Sequence, residues 1–171
     1  MSKRVIISLI SPPGGGKTTI LKHLSEHHQL PILSSGDIAR QMQRDTETNF
    51  LIQGGFAPEE EMRRRLLESI ETLFVSSNVI LADGFPRFVD QLNWLENSLD
   101  GVDIVLYHLD VPLDKCRDRL QSRNRSDDNE ETIEARFKQY TEQTEPIVTS
   151  RHLRRYNYDF VTQVILAAKK N

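Results

Sequence analysis

Val5-Ile6-Ile7-Ser8-Leu9-Ile10-Ser11-Pro12-Pro13-Gly14-Gly15-Gly16-Lys17-Thr18-Thr19 is the stretch on which the fold turns. Its opening residues are apolar apart from Ser8, as a parallel strand buried on both faces requires. That strand delivers the chain into a loop with three successive glycines, where backbone N–H groups can turn inward on an anion. A helix beginning near Lys17 points its positive end at the same spot. Lys17 adds a mobile charge for outer phosphates, and Thr18 or Thr19 a hydroxyl near a metal ion. An ordinary glycine-rich connection would lack the ordered combination of strand, Gly-Lys-Thr and helical period. At Ser11 the general phosphate-loop pattern carries glycine. Ser11 must therefore find an allowed backbone conformation or distort the loop slightly.

Outward from this loop, apolar runs at 4–10, 30–34, 79–82, 103–109 and 151–155 alternate with segments of helical period at 17–28, 37–45, 58–76, 88–98, 112–123, 130–148 and 158–169. The rhythm is α/β and predicts a parallel sheet flanked by helices. Val79-Ile80-Leu81-Ala82 and Ile104-Val105-Leu106-Tyr107 are apolar on successive positions, as strands covered on both sides must be. In such a sheet ligands bind beyond the carboxyl ends of the strands.

At 171 residues the chain fits one domain, 1–171. A formal net charge of −3, with both signs interspersed, argues against attachment to nucleic acid or to an acidic membrane. Cys116 is the only cysteine, which excludes an internal disulfide framework or a cysteine zinc site. No stretch reaches membrane-spanning length and no leader-type apolar region opens the chain. These features predict a cytoplasmic, monomeric protein without zinc, nucleic acid or membrane as a partner.

Three strand ends carry the chemistry. After the second strand, Ser34-Ser35-Gly36-Asp37-Ile38-Ala39-Arg40 offers Ser35 or Asp37 as a helix cap and Arg40 one turn in. After the third, Asp83-Gly84-Phe85-Pro86-Arg87 forces a turn that throws Arg87 back over the strand ends, with Gln91 one helical turn beyond. Asp83, ending an apolar strand beside the glycine loop, can orient the waters of a magnesium ion. Next come Arg117, Arg119, Arg123 and Arg125, then Asp127-Asp128-Asn129-Glu130 and Arg136. Arg119 and Arg123 share a helix face, and the helix carrying Arg136 can return beside it. A charge run is commonly a solvated face. In an acidic protein, however, converging guanidinium forks are suited to neutralising a transferring phosphoryl group.

In these residues the chain resembles the adenylate kinase family of nucleoside monophosphate kinases, nearly end to end. Ser11 to Thr19 is similar to the family's P-loop, Ser34 to Arg40 to its monophosphate-binding turn, and Asp83 to Arg87 with Gln91 to its Gly-Phe/Tyr-Pro-Arg segment. Arg119, Arg123, Arg125 to Glu130, and Arg136 resemble its lid and flanking helices. The resemblance implies a P-loop NTPase-type three-layer fold with a five-stranded parallel sheet. A monophosphate-binding insertion would lie at about 36–65 and a reduced lid at about 121–130. It also implies reversible transfer of the γ-phosphoryl of magnesium-bound ATP to a nucleoside monophosphate. Gly14, Gly15, Gly16, Lys17, Thr18, Thr19, Arg119 and Arg123 would hold ATP, whereas Ser35, Gly36, Arg40, Gly84, Arg87 and Gln91 would hold the monophosphate. Lys17, Arg87, Arg119, Arg123, Arg125 and Arg136 would surround the transferred group. Asp83 would steer Mg2+ through water, with Thr18 as a further metal contact.

This chain departs from the family in several places. Between Asp37 and Pro58 it is shorter, and between Arg123 and Arg125 the lid is reduced to Asn124. Arg155-Tyr156-Asn157-Tyr158 enters the last helix without the usual glycine-containing loop, and Thr18 replaces a glycine. Gln91 resembles the adenine-reading glutamine, which makes AMP the expected acceptor; UMP, CMP or a deoxynucleotide is the alternative. Among other classes, a GTPase-like switch or regulatory nucleotide-binding module would need an Asn-Lys-x-Asp and an Asp-x-x-Gly, which the chain lacks. A polynucleotide kinase would need a basic groove, against which the acidic balance weighs.

Overall fold

The computed structural model describes residues 3–46, 58–122 and 129–169. Strand β1 (Arg4–Ile10) leads through the glycine loop into α1 (Lys17–His28), then β2 (Ile32–Ser34) and α2 (Ser35–Thr46). Next come α3 (Glu59–Phe74), β3 (Val79–Asp83), α4 (Val89–Ser98), β4 (Val102–His108) and α5 (Leu113–Ser122). The chain ends with α6 (Glu130–Gln139), a π-helical turn (Tyr140–Thr144), α7 (Glu145–Ser150), β5 (Arg154–Arg155) and α8 (Tyr158–Lys169). The sheet order is β2-β3-β1-β4-β5, and every pairing is parallel.

Alternation along β1 builds three layers. Val5, Ile7 and Leu9 pack with Leu21, Leu24, Val161 and Ile165 of α1 and α8. Ile6 turns the other way, onto Leu66, Ile70 and Phe74 of α3 and Leu95 of α4. Each such side chain contributes about 1.5–3 kcal/mol by leaving water. This sheet aims β1, β2 and β3 at one end, where Ser34 pairs with Asp83 and Ser8 with Ala82. Among the described residues no helix is long and apolar enough to cross a membrane.

Two expectations change near the C-terminus. The periodic segment 130–148 is not one α-helix, because Pro146 has no N–H for the ladder; the Glu145 N–H reaches back to Tyr140 O across a π turn. The run 151–155 shrinks to the two-residue strand β5, which pairs only with Tyr107 and His108. Arg151 instead follows the end of α7 and bonds Asn93 and Glu96. With so short an edge strand beside it, β4 is mostly half-buried rather than covered on both faces, Tyr107 being its one fully buried residue.

At the far end of α1, His28 is buried against α8. Its ring meets His27 edge-on at 4.7 Å, faces Tyr158 at 6.5 Å, and has its Nε2 3.4 Å from Thr162 Oγ1, while Lys169 donates to its carbonyl. Burial, followed by His27, Lys169 and His23, holds His28 below the ordinary histidine value. Between that lowered value and the unfolded value near 6.5 the unfolded chain carries more protons, so stability rises with pH there. We expect the urea midpoint to fall as pH drops from 7 to 5, and His28→Gln to flatten that dependence.

Candidate active site

Gly16 caps α1 with φ 93°, no side chain caps the helix, and its first turn holds no acidic residue. The amides of that turn are therefore left for an external anion. Gly14 also has a left-handed φ, 81°, and a Cβ there would lie 2.5 Å from Cys116 O, so α5 packs directly on the loop. Gly15 is buried, and its N–H bonds Pro12 O at 3.0 Å. Ser11 needs no distortion: among the described residues only Gln29 and His152 are non-glycines with positive φ.

Lys17 does not extend into solvent as the sequence reading expects of it. Its Nζ turns back to donate to Ser11 O at 2.8 Å, Ser11 Oγ at 2.9 Å and Pro12 O at 3.3 Å. Burial pulls the ammonium down to about 8, opposed by Asp83 and helped by Arg87. The two threonines now separate, for Thr18 Oγ1 donates to Asp83 Oδ2 at 2.8 Å, whereas Thr19 is simply exposed on the first turn. This hydroxyl–carboxylate pair is a hard-oxygen donor set of the kind magnesium prefers. Among the described residues no group of three or more His, Cys, Asp or Glu could hold a metal. A magnesium ion bound through phosphates needs only one or two protein oxygens.

The Arg87 side of the site is built on β2 and β3. Neither Ser35 nor Asp37 caps α2; Ser34 does, its Oγ accepting from the Asp37 N–H at 3.2 Å. Ser35 is buried and donates to Gly84 O at 2.8 Å, tying α2 to the turn after β3. Gly84 takes φ 78°, and a Cβ there would lie 2.7 Å from Ser35 Oγ. That turn aims Arg87, whose Nε donates to Gly84 O at 2.8 Å. Burial lowers the Arg87 guanidinium from its ordinary value, Asp83 opposes this, and Arg136 lowers it further. Arg136 on α6 thus shares a field with Arg87, and Arg87 with Lys17. Arg40 is exposed and paired with Asp37, its Nη1 3.3 Å from where a Cβ on Gly36 would sit. The Gln91 Oε1 accepts from the Arg87 backbone N–H at 2.8 Å, which engages half of its amide at the start of α4.

Arg119 lies beside the glycine loop, with Nη1 3.4 Å from Gly14 O. Arg117 faces the opposite way, paired with Glu130 and Glu134 and 5.3 Å over the Phe137 ring, so it clasps α5 to α6 rather than lining the site. Arg123 and Arg125, with the segment between them, lie outside the described residues, as does 47–57. Sequence reasoning missed Ser8, whose buried hydroxyl donates to Phe85 O at 2.7 Å and anchors the Gly84–Arg87 turn from within β1. Its signal was a lone polar residue in an apolar run.

The model of the adenylate kinase family matches residues 9–154. The chain is 34% identical to an adenylate kinase of Corynebacterium urealyticum, covering 88% of each. It is 35% identical to one of Encephalitozoon cuniculi, covering 83% of this chain and 80% of that one. A UMP-CMP kinase of Rattus norvegicus is 28% identical, covering 85% of this chain and 83% of that one. With a glycine loop and a guanidinium-bearing turn together at the strand ends, and a match of this extent, the chain belongs to the adenylate kinase family of nucleoside monophosphate kinases.

Proposed function

We propose that the protein catalyses ATP + AMP = 2 ADP, with Lys17 and the loop amides holding the donor phosphates and Arg87 and Arg40 the acceptor phosphate. The observation that carries this reading is the crowding of cations from separate elements at the strand ends, Lys17 and Arg87 beside Asp83 and Arg136 beside Arg87. Lys17 from α1, Arg87 from the turn after β3 and Arg136 from α6 lie in one another's fields in pairs, at a mutual cost that a polyanion would relieve. The family resemblance adds Arg119 and, from outside the described residues, Arg123 and Arg125 as further charges for the transferred group. Little covalent work is asked of the protein: it positions two phosphates in line, neutralises the charge that spreads between them, and excludes water. The Thr18 hydroxyl, and Asp83 through water, would hold the magnesium that comes with ATP, which would supply charge neutralisation at the phosphates.

Adenine is favoured at the acceptor by Gln91, since its amide nitrogen can donate to a ring nitrogen while its oxygen, with two lone pairs, can accept from the exocyclic amine and still keep the Arg87 N–H. Two of the relatives named above are adenylate kinases, which supports the same choice. Steady-state rates with ATP against AMP, UMP, CMP and their deoxy forms test it. AMP should have the highest kcat/KM, and Gln91→Leu should lower that value about tenfold or more while UMP and CMP change little, as when a paired polar contact is lost. A wild-type preference for UMP or CMP would replace AMP with a pyrimidine nucleotide, the activity named for the 28% identical relative.

A further inference from the structure

Ser11 stands where the general phosphate-loop pattern has glycine, and its side chain is put to use. The residue is only 3% exposed. Its hydroxyl donates to Pro12 O at 3.0 Å and accepts from Lys17 Nζ at 2.9 Å. A Cβ built on Gly15 would lie 2.3 Å from the same oxygen, so the hydroxyl rests directly against the backbone of the loop's middle glycine. The lysine ammonium has three N–H donors. Ser11 O, Ser11 Oγ and Pro12 O take all of them. Two of these acceptors are carbonyls that any residues at 11 and 12 would provide; the third exists only because position 11 is serine.

A phosphate oxygen entering the cradle has to claim one of those three donors. Pro12 O is fixed in the loop, since it also accepts the Gly15 N–H at 3.0 Å, and Ser11 O ends the run out of β1. The hydroxyl, by contrast, needs no backbone movement to give up the ammonium and still has Pro12 O as its own acceptor. We propose that Ser11 is a positioning residue for Lys17: its hydroxyl holds the ammonium's third donor and is the group that a donor-nucleotide phosphate displaces. The proposal rests on the reading of Lys17 as the ligand of the donor phosphates. Its consequence is that this loop binds ATP against an internal competitor that a glycine-bearing loop lacks.

Titration of the full-length protein with magnesium-ATP, without acceptor, tests this on Ser11→Ala and Ser11→Gly. Both should bind ATP about three- to tenfold more tightly, the span expected when one hydrogen bond of ordinary strength stops competing. KM for ATP should fall by the same factor, with kcat and the acceptor KM within about twofold of wild type. A serine that merely packs the loop would give unchanged or weaker binding on replacement by alanine. In a Lys17→Met background the Ser11 substitutions should no longer affect ATP affinity, because the partner they release is gone. Unchanged or weaker ATP binding by Ser11→Ala overturns the proposal, whether or not its melting temperature moves. A gain in Ser11→Gly alone also overturns it, since relief of crowding at Gly15 and not release of Lys17 would then be the cause. If Lys17→Met itself leaves ATP affinity intact, the reading of the cradle fails instead, and that outcome is scored separately from the Ser11 variants.

Discussion

Lys17→Ala should lose phosphoryl transfer by about three orders of magnitude or more, at or beyond the upper end for removing one preorganised charge from a developing transition state. Folding should survive the change. Among the described residues the ammonium bonds to Ser11 O, Ser11 Oγ and Pro12 O, and water can satisfy these partners once the side chain is gone. Its aliphatic stem is not among the residues of the two apolar layers that hold the sheet. Circular dichroism and a thermal melt should therefore match wild type while single-turnover transfer disappears. Lys17→Arg should fail as well, because a planar fork cannot occupy the small space between Ser11 and Pro12 that a compact ammonium fills. Substantial turnover in a folded Lys17→Ala would remove the cradle from the mechanism.

Arg87→Ala should weaken monophosphate binding about ten- to 150-fold, the equivalent of about 1.5–3 kcal/mol for one charge-assisted contact. ATP affinity should change little. The asymmetry follows from placement: Arg87 is braced by its Nε–Gly84 O bond on the same turn that Ser35 ties to α2, whereas Arg119 reaches the opposite side, toward Gly14 O. Arg119→Ala should accordingly raise the ATP dissociation constant and spare the monophosphate. Calorimetric titration of each variant with each nucleotide separately decides between the roles, and loss of the same ligand by both variants contradicts the division.

The features legible in the sequence were those encoded by neighbours along the chain. Glycine spacing, the polar residues that end β2 and β3, and the apolar run of β1 foretold the cradle, the Arg87 turn and the parallel sheet. What stayed hidden depends on groups meeting across the fold. Ser34 rather than Ser35 caps α2 because Ser35 is drawn to Gly84 O by the β2–β3 pairing, a choice that local propensity cannot distinguish. Arg117 and Arg119 look alike in a run of arginines, yet positions two apart on a helix point to different sides. Glu130 and Glu134 claim the first, and the loop receives the second. The break after Gln139 was readable from Pro146, had its missing N–H been weighed against an otherwise unbroken period.

Gly14 lies so close under the Cys116 carbonyl that no side chain fits between them, and the buried Cys116 thiol, raised by burial above its ordinary value, is the single thiol of the chain. The molecule therefore carries its own chemical reporter. That sulfur packs with Leu120 of α5 and Ile133 and Phe137 of α6, so an alkylating reagent reaches it when the α5–α6 packing opens, and the labelling rate follows that opening. No engineered probe is needed, and there is no second thiol to confuse the signal.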